Sequence, residues 1–133
     1  MTMDSSAVVA ILRDEPEAKM CAEAIQAATV RRISAVNYVE AAVVIDSDHN
    51  PIASRRFDDL FRMADIRIEP VTEAQAKLAR EAYRDFGRGS GHPAKLNFGD
   101  CFAYALARDK GESLLYKGND FRRTDIQSAI HLV

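Results

Sequence analysis

The chain opens with MTMDSSAVVAIL (residues 1–12), in which a short apolar segment leads through an acid and two serines into a longer apolar segment. This order predicts a strand at Met1–Asp4, a turn and then a helix. Ser5 or Ser6 is the expected N-cap, because a serine hydroxyl accepts a hydrogen bond from the free N–H groups of a first helical turn.

The same order of strand and helix recurs along the chain. Further strands are predicted at Thr29–Ser34, Ile66–Pro70, Ser113–Tyr116 and Ala129–Leu132, and further helices at 14–28, 34–48, 52–64, 72–87 and 99–109. Thr72 and Gln75 have the spacing of a capping box, and one long loop is expected at 87–97. Strands that alternate with helices form right-handed crossovers, so the sequence predicts an α/β fold with a parallel sheet sandwiched between helices.

The composition is that of an ordinary globular protein. A length of 133 residues fits one domain over residues 1–133. No apolar run is long enough to span a membrane and no export signal is recognisable, so we expect a cytoplasmic protein. The net charge of −2 excludes a strongly basic nucleic-acid-binding arm, and the spacing of Cys21 and Cys101 suggests neither a disulfide framework nor a zinc site.

Four acidic residues stand at positions that are unusual for surface charges. Asp4 and Asp120 each follow a predicted strand, and ligands bind outside the carboxyl ends of strands in open α/β sheets. Glu40 lies on a helix that is apolar on several sides. Asp100 is the one charged residue in the ten-residue run 98–107. These four acids are therefore candidates for a common site.

Each acid also has a structural interpretation. Asp4 and Asp120 suit turns or caps, and Glu40 could pair with an arginine. With Asn97 as N-cap, Asp100 would occupy the third helical position, where an acid favours the helix dipole by roughly 0.3–1 kcal/mol.

Several carboxylates in one crevice repel one another unless a cation neutralises them. Oxygen ligands of this kind select Mg²⁺ or Mn²⁺, and such ions can activate water for phosphodiester cleavage. This chemistry needs no histidine or cysteine, and His49, His92 and His131 are not placed to suggest a catalytic triad.

Four segments, taken together and in this order, resemble the PIN-domain family, and more narrowly the VapC toxins: 4–10, 38–42, 96–107 and 114–121. The resemblance implies that Asp4, Glu40 and Asp100 are the metal-binding acids and that Ser6 supports the first of them. It also implies a parallel sheet between helices.

The VapC resemblance further implies a Mg²⁺-dependent endoribonuclease that acts on structured RNA, typically tRNA or ribosomal RNA. Such toxins form homodimers and are silenced by a cognate VapB antitoxin. One departure stands in the fourth segment, where Gly118 replaces an acid that many members carry. Asp120 then matches the second aspartate of that motif, as an outer ligand or a water-positioning group. Arg88, His92 and Lys95, in the loop before the Asp100 helix, are candidate phosphate contacts.

Other classes of function are compatible with parts of the pattern. A PIN-domain nuclease could serve RNA processing without being a toxin. A receiver-like domain also holds Mg²⁺ at the end of a parallel sheet, but Asp4 lacks the adjacent acid that such domains use. A haloacid-dehalogenase-like phosphatase would need an aspartate where Ser6 stands. In a binding module, the acids would pair with arginines.

Overall fold

The computed structural model describes residues 1–130 and contains a four-stranded parallel sheet. The strands are β1 (Thr2–Met3), β2 (Arg31–Ser34), β3 (Ile66–Glu69) and β4 (Leu114–Leu115), in the order β3-β2-β1-β4. The helices of the described residues are α1 (Ser5–Leu12), α2 (Ala18–Ala27), α3 (Ala35–Asp46), α4 (Pro51–Met63), α5 (Glu73–Phe86) and α6 (Phe98–Lys110), with a 3₁₀ turn at Phe121–Arg123. The predicted α/β class is confirmed.

Helices cover both faces of the sheet. Leu114 and Leu115 are fully buried but belong to different hydrophobic clusters, because successive side chains of a strand point to opposite faces. Leu115 packs with residues of α1, α2, α3 and α4, and Leu114 packs with residues of α5 and α6. The sheet is thus the middle layer of a sandwich, and its carboxyl edge is left free of these two cores.

The cap of α1 differs from the prediction. Asp4, and neither Ser5 nor Ser6, is the N-cap, because β1 ends at Met3 and Asp4 keeps an extended backbone. Its carboxylate accepts a hydrogen bond from the Ser6 N–H at 3.0 Å. The strand-to-helix turn therefore holds the Asp4 carboxylate at the carboxyl edge of the sheet.

Helix α2 begins at Ala18, four residues later than predicted. Asp14 has a φ of 51°, in the left-handed region, and the Glu15 N–H donates to the Ala10 carbonyl at 2.9 Å. These features close α1 and start a separate turn, so Glu15 lies between two helices. Helix α2 ends at Ala27, as expected from the sequence.

Three smaller predictions are also corrected. Thr72 caps α5, but the Gln75 side chain donates to Asp109 of α6 at 3.0 Å and does not complete a capping box. Strand β4 is shorter than predicted. The predicted last strand at 129–132 is reduced, within the described residues, to one bridge between Leu114 and Ser128.

Residues 131–133, which include His131 and the end of that predicted strand, lie outside the described residues. The loop 87–97 is irregular as predicted, and a bridge between Gly87 and Leu96 closes it. Both cysteines are buried and free. Within residues 1–130, no helix has the length and apolar character needed to cross a membrane.

Candidate active site

Four carboxylates line one pocket of about 400 Å³ at the carboxyl edge of the sheet. They belong to Asp4 after β1, Glu15 between α1 and α2, Glu40 on α3 and Asp100 on α6. The remaining lining residues are Ser5, Ser6, Val9, Val44, Asn97 and Lys117. Acids that are far apart in the sequence thus meet in one pocket, which we call the acidic pocket.

Asp4 is the most deeply buried of these acids, with 3% of its surface exposed. Its Oδ2 accepts from the Ser6 N–H, but its Oδ1 is buried without a hydrogen-bond partner in the described part of the chain. Burial raises the pKa of Asp4, and the nearby charge of Glu40 adds to this increase. Ser6 also accepts from the Lys117 N–H at 3.0 Å, so one serine joins the ends of β1 and β4.

Glu40 is held by neutral donors. Its Oε1 accepts from the Ser5 hydroxyl and, at 3.4 Å, from the Asn37 side-chain amide. Asn37 is fully buried and also donates to the Gly99 carbonyl at 3.0 Å, which fixes α3 against α6. No arginine or lysine within residues 1–130 forms an ion pair with Glu40, so the arginine-pair interpretation has no support.

Asp100 both caps its helix and lines the acidic pocket. It forms a capping box with Asn97, in which each side chain accepts from the backbone N–H of the other residue, at 3.0 and 2.9 Å. Burial raises the pKa of Asp100 to about 7, and the charges of Asp4, Asp120 and Glu40 contribute to the increase. A helix cap alone would not place a carboxyl group among three other acids.

Gly99 leaves the space that Glu40 occupies. A Cβ at Gly99 would lie 2.1 Å from Glu40 Oε2 and 2.8 Å from Oε1. Glycine beside Asp100 therefore leaves room for the Glu40 carboxylate in its observed position, although glycine costs about 1 kcal/mol in a helix relative to alanine.

We predict that Gly99→Ala keeps the fold and lowers RNA cleavage by at least about 10-fold, since displaced supporting contacts at a metal site typically cost 10–100-fold. The flexible end of Glu40 can move away, so α6 survives while the carboxylate leaves its position. Cleavage rates and melting temperature measure the two effects. In a Glu40→Ala background, Gly99→Ala should cause no further loss; an additional loss of the same size there would mean that the effect does not act through Glu40.

The other predicted site residues lie outside the lining of the acidic pocket. Asp120 is exposed at the start of the 3₁₀ turn, although its charge contributes to the raised pKa of Asp100. Arg88 and Lys95 are exposed, whereas His92 is half-buried with its ring edge-on to Phe86. His92 Nδ1 accepts from the Ala94 N–H at 3.0 Å and so helps to order the loop. RNA contacts by these three loop residues stay a prediction.

The sequence interpretation missed several residues that line the pocket or contact its acids, namely Ser5, Glu15, Asn37, Gly99 and Lys117. Two of them left a signal. A glycine within the helical run beside Asp100 indicates a close approach, and Asn37 lies three residues before Glu40, where side chains of a helix face each other.

Lys117 left no such signal, since only the fold brings it to Glu15. Its Nζ donates to the Glu15 carboxylate and lies 3.8 Å from Glu17 Oε2. Hydrogen bonding to Glu15 raises the pKa of Lys117. The rim of the acidic pocket therefore carries a lysine ammonium group that already has carboxylate partners.

The carboxylate oxygens of this pocket are suitable ligands for a divalent cation. In the described residues no three acid, histidine or cysteine side chains stand close enough together to hold an ion as they are. Asp100 Oδ2 and Glu40 Oε1 accept hydrogen bonds from Asn97 and Ser5. However, hard carboxylate oxygens are the ligands that Mg²⁺ and Mn²⁺ take. Asp4 Oδ1 is moreover a buried acceptor that lacks a donor. The residues present fit such an ion after rotation of side chains.

Comparison with known proteins agrees with this architecture. Residues 1–127 match the model of the PIN domain, so the class is that of a PIN-domain protein. The chain is 57% identical over 130 residues to ribonuclease VapC28 of Mycobacterium tuberculosis, covering 98% of both chains. It is 44% identical over 131 residues to a ribonuclease VapC of Mycolicibacterium smegmatis, covering 98% of this chain and all of that one.

Solved structures share the fold at low sequence identity. The crystal structure of Mycobacterium tuberculosis VapC20, a sarcin-ricin loop cleaving toxin, superposes with a TM-score of 0.71 at 17% identity, covering 94% of this chain and 95% of that one. A chain of a toxin–antitoxin complex from Klebsiella pneumoniae has a TM-score of 0.66 at 18% identity, covering 90% of this chain and 88% of that one. The chain therefore belongs to the PIN-domain family and, within it, to the VapC group.

Proposed function

We propose that this protein is a metal-dependent endoribonuclease and the toxin of a type II toxin–antitoxin pair. The observation that carries the proposal is the acidic pocket, in which four carboxylates, including that of Asp4 with its buried, unpaired oxygen, line one cavity in a chain of the VapC group. The identity of 57% to proteins named ribonucleases supports the same reaction class. A receiver-like or phosphatase function finds no support in this family.

Asp4, Asp100 and Glu40 are the residues that would hold Mg²⁺, for which Mn²⁺ could substitute. Such an ion would supply a water activated for attack and a counter-charge for the scissile phosphate. The chain itself prepares the site: Ser6 and the α1 backbone hold Asp4, Asn97 holds Asp100, and Ser5 with Asn37 holds Glu40. Asp120, which is exposed and does not line the acidic pocket, would act as an outer ligand or position water.

Structured RNA, such as tRNA or ribosomal RNA, is the proposed substrate, and a VapB-type antitoxin is the proposed inhibitor. We further propose a single nuclease domain over residues 1–133 that acts in the cytoplasm as a homodimer. The names of the relatives, which are those of ribonucleases, a toxin and a toxin–antitoxin complex, support the RNA substrate and the antitoxin partner. A nuclease of this kind would recognise RNA chiefly by its shape and by bases that are already unpaired.

Induced expression in a bacterial host without the antitoxin tests the toxin assignment. We expect growth arrest with the natural chain and normal growth with Asp4→Asn, at equal protein levels on an immunoblot. Asparagine caps helices as well as aspartate, so this variant keeps the α1 cap. Normal growth with the natural chain, while the purified protein still cleaves RNA, would point to the alternative function in RNA processing.

A further inference from the structure

A second cavity of about 630 Å³ adjoins the acidic pocket between α2 and the segment that follows β4. Lys117 lines both cavities, so they are neighbours at this residue. The second cavity has a volume within the range of small-ligand sites, roughly 300–1,000 Å³. We name it the side cavity.

The walls of the side cavity differ from those of the acidic pocket. They include both apolar or aromatic side chains and polar or charged ones. Its lining consists of Glu17, Met20, Cys21, Tyr116, Lys117, Gly118, Asn119, Arg122, Ile126, Ser128 and Ile130. A purely apolar groove would suit a protein segment, whereas this mixture of apolar surface, cations and hydrogen-bonding groups suits a nucleotide.

Arg122 and Tyr116 supply two of the parts that a nucleotide site needs. Arg122 pairs with no carboxylate among residues 1–130, and its Nη1 donates to Asn119 Oδ1 at 3.3 Å, so its charge remains available to a phosphate. Tyr116 packs against Phe121, with ring centroids 5.1 Å apart, and thus offers a fixed aromatic group beside Met20. Bases of single-stranded RNA pack on such aromatic groups.

Glu17 supplies an acceptor to the lining of the same cavity. Its Oε2 is buried without a hydrogen-bond partner in the described residues and lies 3.8 Å from Lys117 Nζ. A buried acceptor without a donor costs free energy. An N–H of a base or a hydroxyl of a ribose would satisfy it, whereas an inorganic anion would not.

From these observations we propose that the side cavity is the subsite for a nucleotide adjacent to the scissile phosphate. Resting on the proposed nuclease function, this inference adds a binding site to it. RNA that passes from the acidic pocket over Lys117 would place one base beside Tyr116 and the phosphate of the same nucleotide near Arg122. Glu17 would accept a hydrogen bond from the nucleoside.

Nucleotide binding without catalysis tests this inference. We would titrate the ¹⁵N-labelled protein, in EDTA, with each of the four ribonucleoside 5′-monophosphates and with inorganic phosphate, and follow the backbone amide resonances. Nucleotides should shift the amides of Cys21, Lys117, Asn119 and Ser128. Phosphate alone should bind at least about 10-fold more weakly, since it satisfies only the cationic side, and 10-fold corresponds to about 1.4 kcal/mol.

Two variants and one control test whether the nucleotide binds in the side cavity. Met20→Trp should fill the cavity and Arg122→Ala should remove its unpaired cation, so each should weaken nucleotide binding several-fold. Met63→Trp places the same ring on α4, next to another groove, and should leave binding unchanged. Any of three results would overturn the subsite: nucleotides do not shift these amides, nucleotides bind no more tightly than phosphate, or Met20→Trp binds nucleotides as tightly as the natural chain does. RNA cleavage is not measured in this experiment, so the proposed nuclease function can fail or hold independently.

Discussion

Asp100→Asn should reduce RNA cleavage by more than roughly 100-fold while the protein stays folded. Substitutions of the outer partners of metal ligands already cost 10–100-fold, and Asp100 is a proposed direct ligand. Asparagine can still accept the Asn97 N–H, so the capping box that starts α6 does not explain a loss. Single-turnover cleavage of a defined RNA measures the chemical step, and RNA binding in EDTA should be equal or tighter because one negative charge is gone.

Asp109→Asn is the matched control. It makes the same chemical change on the same helix, but Asp109 lies outside the acidic pocket and accepts a hydrogen bond from Gln75, which an amide oxygen can also accept. Cleavage by this variant should equal that of the natural chain. If Asp100→Asn cleaved as fast as this control, Asp100 could not be a metal ligand.

Replacing a carboxylate by an amide should have opposite effects on stability at two places in this fold. In the acidic pocket the charges of Asp4, Glu40 and Asp100 repel one another, so Asp100→Asn without metal should leave the melting temperature equal or higher. Glu112 instead accepts a hydrogen bond from Arg32 Nε at 2.7 Å, and only 15% of its side chain is exposed. Glu112→Gln should lose about 1–3 kcal/mol, since it weakens a charged hydrogen bond of a buried group.

Thermal unfolding in EDTA measures both variants, and each kcal/mol changes the melting temperature of a domain of this size by about 4 °C. A melting temperature of Asp100→Asn that falls as far as that of Glu112→Gln would identify Asp100 as a structural acid. Added Mg²⁺ should then raise the melting temperature of the natural chain more than that of Asp100→Asn, because only binding to the folded state stabilises it.

The raised pKa of Asp100 also predicts how stability depends on pH. The folded protein keeps this proton up to a pKa of about 7, whereas the unfolded chain releases it near the ordinary value of 3.8. The unfolded state therefore binds fewer protons between these values, and stability should fall as the pH rises from about 4 to 7. Asp100→Asn should show a flatter dependence in this range. An equally steep fall in the variant would assign the effect to other groups.

The alternation of short strands and helices was sufficient to predict the fold class. The bounds of elements were harder to predict, since β1 and β4 have two residues each and depend on their neighbours for pairing. The cap of α1 shows the same limit. Asp4, Ser5 and Ser6 are all good caps, and the choice depends on where β1 ends.

The candidate site was predictable where a single residue broke a local pattern. Asp100 in an apolar helix and Asp4 after a strand are such residues, and both line the acidic pocket. Contacts between distant segments left a much weaker signal. Asn37 meets Gly99 across 62 positions of sequence, and Lys117 meets Glu15 across 102. Only the packing of α3 on α6, and of β4 beside β1, brings these residues together.

Cleavage of purified total RNA with Mg²⁺, with Mn²⁺ and with EDTA tests the central claim most directly. The protein should be free of antitoxin and shown to be folded by circular dichroism, with Asp100→Asn treated in parallel. We expect discrete fragments with either cation, none with EDTA and none with the variant. Equal cleavage in EDTA, or intact RNA with both cations, would contradict a metal-dependent nuclease in the acidic pocket.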